Sequence, residues 1–428
     1  VGGLGGPDHH RRSRLASARA AALAVIAVLA GGAVVAGCGS SDDGNDADLT
    51  VYSAFPRSGT DRRDAISIER GVQMALADHD DQAGKYRLRL ETLDTATNPA
   101  EPYDPEAVVA AARRAADDTR AIGFIGELNS GATALALPIL SQAGVPVISP
   151  SSTASGLTTS EPGAAPGEPE RYYPSGSRNF VRIVPRDSRQ SDAIATLMRE
   201  NDCRTVFIVH ESEVYGSGLA RNVTADARRA GMRIVGDVAS DGPDGTIDEV
   251  AAKAQQADPD CVVYAGGGDA QVAALLTEIE ERLPKVQIFS GDGLADADFL
   301  DASKGGLPKE VSDNLWVTLP ALPVEQLPPS GQRFHRDYRK RYGQEPTPYA
   351  VYGYEAMQLL IAAIEAAKDR GDDREAVLDQ LFLAERRGSP IGTYSIDANG
   401  DTTLGDYGVY GVENGRLVFD RVLLAPQR

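Results

Sequence analysis

From Leu49 onward, short β-branched runs alternate with longer Ala-rich amphipathic stretches, and this alternation is what most restricts the fold. "LTVYSAF" precedes a helical period through "ISIERGVQMALADHD", and "YRLRLETLD" precedes one through "PEAVVAAARRAADD". "AIGFIG" precedes "ALALPILSQAG", and "VPVISP" completes a set of four strands. A Pro/Gly-rich stretch, "EPGAAPGEPERYYPSGSRN", interrupts the pattern, and its residues 161–178 are expected to form a surface loop. The alternation then resumes with "TVFIVHE", "RIVGDVAS", "CVVYAGG" and "VQIFSGD". Alternating β and α segments predict a parallel sheet covered by helices, and two sets predict two such layers.

The chain is therefore expected to be α/β, with two Rossmann-like lobes built on mainly parallel sheets. Its 428 residues are too many for one core and suit two domains of ordinary size. After "NLWVTLPALP", the helices through "GQRFHRDYRKRYG", "YGYEAMQLLIAAIEAAKDRG" and "REAVLDQLFLAE" are assigned back to the first lobe. The last strand-like pieces are assigned to the second. This gives lobe 1 as 49–184 with 321–404, and lobe 2 as 185–320 with 405–428, joined by a multi-strand hinge.

The N-terminal residues read differently. "HHRRSRLASAR" is basic and is followed by the apolar "AALAVIAVLAGGAVVAG", too short for a comfortable membrane span and fitting the apolar centre of an export signal. Val35-Ala36-Gly37-Cys38 resembles the lipobox of a bacterial lipoprotein signal. That resemblance implies a signal peptide over 1–37, lipidation at Cys38 and a polar tether over 38–48. Acyl chains bury methylenes at about 0.8 kcal/mol each, so a multiply acylated Cys38 would hold the protein on the outer side of the membrane. Cys203 and Cys261 each stand at the start of a predicted strand. Equivalent positions on neighbouring parallel strands come within disulfide reach, and an exported protein meets oxidising conditions. A Cys203–Cys261 disulfide is favoured over two buried thiols.

In open parallel sheets, ligands sit beyond the carboxyl ends of strands. "GELNSGATALA", Gly126 to Ala136, leaves a strand through Gly, Asn, Ser and Gly and then starts a helix. A helix start has unpartnered N–H groups and a partial positive charge, which small polar residues either cap or leave open to an anion. "SPSSTASGLT", "HESEVYGSG" and "GDGLADAD" occupy equivalent places.

These residues resemble the periplasmic substrate-binding proteins of the branched-chain amino-acid (Leu/Ile/Val) type, the type I binding proteins of ATP-driven importers. The resemblance runs over Leu49 to Leu424 and is densest from Gly123 to Thr158. It implies a ligand carboxylate held by Asn129, Ser130, Ser151, Ser152 and Thr153 on lobe 1. It implies that lobe 2 closes by hinge bending and brings Asp292 to the ligand ammonium and Tyr215 over the ligand. Without the resemblance, Asp292 reads as a turn residue and Tyr215 as a core aromatic. Two departures speak against Leu/Ile/Val itself. "AGGGDAQ" lacks an aromatic often present in that loop, and the first βα loop carries Arg62, Arg63 and Asp64, read as a solvated loop or as contacts to a polar ligand side chain. The partners implied are an amino acid or small amide and the permease subunits, with the chain a monomer.

The residues also exclude other classes. A net charge of −19 argues against nucleic acid as a partner. "YAGGGDA" lacks the spaced glycines of a dinucleotide site, no P-loop occurs and no G-x-S-x-G elbow is present. Outside the leader the histidines are His79, His210 and His335, with no metal-ligand spacing. An enzyme, a metal site and a cofactor are not expected. The alternative to transport is a sensor component that acts through a separate membrane receptor.

Overall fold

The computed structural model describes residue 2 and residues 48–241 and 245–424. The expected export signal apart from residue 2, Cys38 and all but the last residue of the expected tether lie outside the described residues.

The first sheet is fed by β1 (Leu49–Phe55), α1 (Arg62–Asp78), β2 (Gln82–Ala83), β3 (Tyr86–Asp94), α2 (Pro105–Asp117), β4 (Ala121–Gly126), α3 (Ser130–Gln142), β5 (Val147–Ser149) and β6 (Phe180–Arg182). Its six strands run in the order β2-β3-β1-β4-β5-β6, parallel except for β2. The sequence pattern yields only four of these. The strand β2 has two residues, too short for any hydrophobic period to register, and the three-residue β6 directly follows the Pro/Gly-rich stretch.

The second sheet follows from α4 (Asp187–Glu200), β7 (Thr205–His210), α5 (Val214–Arg229), β8 (Arg233–Ala239), α6 (Ile247–Ala257), β9 (Cys261–Ala265), α7 (Ala270–Arg282), β10 (Gln287–Ser290), α8 (Lys309–Ser312) and β11 (Leu315–Leu319). The chain then forms α9 (Pro329–Tyr342), α10 (Ala350–Ala366), α11 (Arg374–Phe382), β12 (Glu385–Ser389), β13 (Gly392–Ser395), β14 (Asp406–Glu413) and β15 (Arg416–Leu424). The seven strands of the second sheet run β15-β14-β11-β10-β9-β7-β8, with β14 and β15 as an antiparallel edge. The strands β12 and β13 pair with each other in a separate two-stranded sheet.

Helix starts follow local chemistry. Asp104 accepts hydrogen bonds from the N–H groups of Glu106 and Ala107 at the start of α2, with Pro105 in the first turn. The buried face of α1 includes Ala65, Ile68, Val72 and Ala75, and it packs on α10. The two helices touch closely at Gly353, where a Cβ would lie 2.3 Å from the Ile68 carbonyl oxygen. The helices α9, α10 and α11 thus cover the first sheet while β14 and β15 extend the second, so the chain crosses three times between the sheets.

Two crossing segments are tied by a buried charge network. Arg182, fully buried, donates to Asp401 at 2.6 Å, and Arg186 donates to the other Asp401 oxygen at 2.9 Å and to Glu161. Burial alone would raise the Asp401 carboxyl, but the two guanidiniums outweigh it and hold the group below its ordinary value.

The stretch 161–178 is not the plain surface loop that its composition suggests. Glu168, Tyr172 and Tyr173 are buried in it, and Arg221 of α5 donates to the Gly163 carbonyl at 2.7 Å. Aromatic burial and this backbone contact anchor a stretch whose Pro and Gly content reads as solvent-facing. Cys203 and Cys261 are bonded to each other beside the paired strands β7 and β9, with Cα atoms 5.9 Å apart.

Candidate functional site

Each sheet contains the strand order 2-1-3-4-5, as β3-β1-β4-β5-β6 and β8-β7-β9-β10-β11. In such sheets the crevice lies outside the carboxyl ends of the strands where the order reverses. A cavity of about 260 Å³ occupies this place between the lobes, lined by the ends of β1, β4 and β5 from one side and β7, β9 and β10 from the other. Pockets for drug-sized ligands span about 300–1,000 Å³, so this one suits a smaller guest.

On the first lobe the wall is the start of α3. Asn129 holds the cap position in extended conformation, yet its side chain makes no bond to the helix N–H groups. Its amide nitrogen donates instead to Asp61 at 2.7 Å, and its amide oxygen is buried without a partner. The start of α3 thus keeps its free N–H groups and its partial positive charge. Ser130 accepts from the Ala154 N–H at 3.1 Å, and Ser151 donates to the Leu128 carbonyl at 3.0 Å. Thr153 is also in the wall and is almost fully buried.

On the second lobe Asp292 begins a short turn after β10. Tyr215, in the first turn of α5, donates to one Asp292 oxygen at 3.0 Å, and Tyr349, just ahead of α10, donates to the other. Tyr349 therefore reaches across from the helices of the first lobe. A second crossing joins Tyr103 and Glu213 at 2.6 Å. Glu213 also lies against the start of α3, where a Cβ on Gly131 would come 2.1 Å from its carboxylate, so a larger residue there would push this side chain aside.

Six of the seven residues singled out in the sequence, Asn129, Ser130, Ser151, Thr153, Tyr215 and Asp292, line this one cavity. Ser152 does not. It is fully buried behind the wall, donates to the Glu127 carbonyl and shares a 2.7 Å hydrogen bond with Thr133. Arg62, Arg63 and Asp64 form the first turn of α1 rather than a loop. Asp64 faces the cavity while both arginines are exposed.

Sequence reasoning missed Asp61, Tyr103, Glu211, Glu213, Asp296 and Tyr349. Glu211 and Glu213 stood inside the quoted "HESEVYGSG" and Asp296 inside "GDGLADAD", but Asp61, Tyr103 and Tyr349 carry no local signal. The carboxyls are perturbed. Burial pushes Asp64 up to about 6, with Asp296 and Asp61 adding to the rise. Burial likewise pushes Glu211 up to about 7, against the Gly267 N–H, with Glu213, Asp241 and Asp61 adding repulsion. Behind the wall, burial takes Asp187 to about 8, helped by repulsion from Asp292.

A family model described as "Periplasmic binding protein" matches residues 53–416. The chain belongs to this family. Its members are substrate-binding proteins and not enzymes, and the two-lobed architecture is the type I form. An amino acid binding protein of Pseudomonas aeruginosa is 26% identical to this binding protein over 85% of the chain and 90% of its own length. A Leu/Ile/Val-binding protein of Rhizobium johnstonii is 24% identical over 87% of the chain and 94% of its own. Among solved structures, a leucine binding protein of Thermotoga maritima superimposes with a TM-score of 0.74 at 22% identity, covering 88% of this chain and 99% of that one. A solute binding protein of R. palustris in complex with benzoate does so with a TM-score of 0.71 at 18% identity, covering 88% and 97%. The fold thus serves ligands of differing chemistry, and this chain's role is to bind a solute.

Proposed function

We propose that this chain is the extracytoplasmic, Cys38-anchored solute-binding component of an ATP-driven importer, taking an amino acid between its lobes and delivering it to a permease. Lobe 1 comprises 49–184 with 321–404, and lobe 2 comprises 185–320 with 405–428. The α-carboxylate docks at the open start of α3, with Ser130, Ser151 and Thr153 around it. The α-ammonium docks on Asp292, whose oxygens Tyr215 and Tyr349 orient. Ser152 supports the wall from behind.

The observation that carries this reading is that an uncapped helix start and a tyrosine-held carboxylate face one cavity from opposite lobes. A zwitterion matches those two ends, and each end needs a partner once closure removes water. Hydrogen bonds to charged groups contribute about 1.5–3 kcal/mol each, while micromolar binding needs about 8 kcal/mol. The few contacts named are enough.

Calorimetry on the full chain in detergent tests the site. Asp292→Ala is expected to weaken binding of the best amino acid at least about tenfold, because an unpaired buried ammonium costs more than about 1.4 kcal/mol. Unchanged affinity would remove Asp292 from the site. Cys38→Ala is expected to release the protein from cell membranes, and retention there would argue against the lipid anchor.

A further inference from the structure

The charge around the cavity exceeds what a simple zwitterion answers. Asp61 and Asp64 line it from the first lobe, and Glu211, Glu213, Asp292 and Asp296 from the second. Among the described residues, no Lys, Arg or His lines it. The partners these carboxylates have within the protein are neutral donors. The Asn129 amide serves Asp61, the Gly267 N–H serves Glu211 at 3.0 Å, and the Tyr103 hydroxyl serves Glu213. Arg63 partly offsets Asp64 through space, but it is exposed and points to Asp298 at 3.7 Å.

The repulsion runs between lobes. Asp296 acts on both Asp61 and Asp64, and Asp61 acts on Glu211. Closing the cleft on a neutral side chain would bury these groups against each other, which is unfavourable without a compensating charge.

A further observation points to a missing donor. The buried Asn129 amide oxygen, in the cavity wall, accepts nothing.

We propose that the ligand of this cleft carries a positive charge on its side chain in addition to its α-ammonium, as an amino acid of the lysine, ornithine or arginine kind. This rests on the amino-acid reading above. The α-carboxylate lies at the start of α3, the α-ammonium on Asp292, and the side-chain cation among Asp61, Asp64, Glu211 and Asp296. Its N–H groups supply the donors that the Asn129 oxygen and the carboxylates lack. The same groups disfavour leucine and aromatic acids, which bring no charge to offset them.

Calorimetry on the full chain in detergent decides between the classes. The probes are lysine, ornithine, arginine, leucine, 2-aminoheptanoic acid (the neutral isostere of lysine) and cadaverine (lysine without its carboxylate). The best cationic amino acid is expected to bind at least about tenfold tighter than either neutral one. Glu211→Gln is expected to shrink that margin severalfold, and an unchanged margin would remove Glu211 from the cation's place. If leucine or 2-aminoheptanoic acid binds as tightly as the cationic amino acids, this inference is overturned and the amino-acid reading stands. If cadaverine alone binds, or no amino acid does, both fall.

Discussion

Tyr103, on the loop before α2, donates a 2.6 Å hydrogen bond to Glu213 at the start of α5, so one lobe is latched to the other beside the cavity. The contact exists only while the lobes are together, and a hydrogen bond to a charged group contributes about 1.5–3 kcal/mol. Tyr103→Phe keeps the ring packed and removes the latch. Ligand dissociation, followed by stopped-flow fluorescence, is expected to accelerate about tenfold with little change in association. An unchanged dissociation rate would mean that the latch does not contribute to closure.

Glu127 makes stability depend on pH. It is fully buried, it accepts from Thr95 at 2.9 Å with one oxygen, and its other oxygen has no partner. Burial pushes its carboxyl from 4.5 up to about 8, with the Thr95 hydroxyl opposing. The folded state therefore holds this proton more tightly than the unfolded one. The resulting stabilisation is complete below about pH 4.5 and is lost as pH rises through about 8. Urea titrations between pH 5 and 8 are expected to show a shallower decline for Glu127→Gln than for the wild type. Parallel declines would show that another group carries the effect.

Asp401 links two crossing segments through Arg182 and Arg186. Removing one partner of a buried ion pair leaves an uncompensated charge, which costs about 3–5 kcal/mol. Asp401→Asn is expected to lower unfolding free energy by that amount in a denaturant series. A loss below about 1 kcal/mol would mean that the backbone carbonyls of Ser152 and Ala154, which Arg182 also reaches, suffice for the guanidinium.

The Cys203–Cys261 bond spans 58 residues of sequence. Chain-entropy arithmetic for a loop of that length gives about 4 kcal/mol of stabilisation through the unfolded state. The Cys203→Ala/Cys261→Ala double variant is expected to show a lower denaturation midpoint by a corresponding margin. An unchanged midpoint would indicate that the loop ends are already held together in the unfolded chain.

What the sequence determined by itself was local. The β/α alternation, the Asp104 cap and the small polar residues beyond β4 and β5 depend on neighbours within a few positions, so periodicity and turn chemistry expose them. The resemblance to binding proteins rests on those same stretches. Tertiary structure decided which carboxylates meet. Asp61 reaches Asn129 from 68 residues away, Tyr349 reaches Asp292 from 57, and Arg182 reaches Asp401 from 219. It also turned Ser152 into the core while its neighbours Ser151 and Thr153 line the cavity. Electrostatic character in a cleft depends on distance through space and on loss of water, and neither quantity is written in the spacing of residues along the chain.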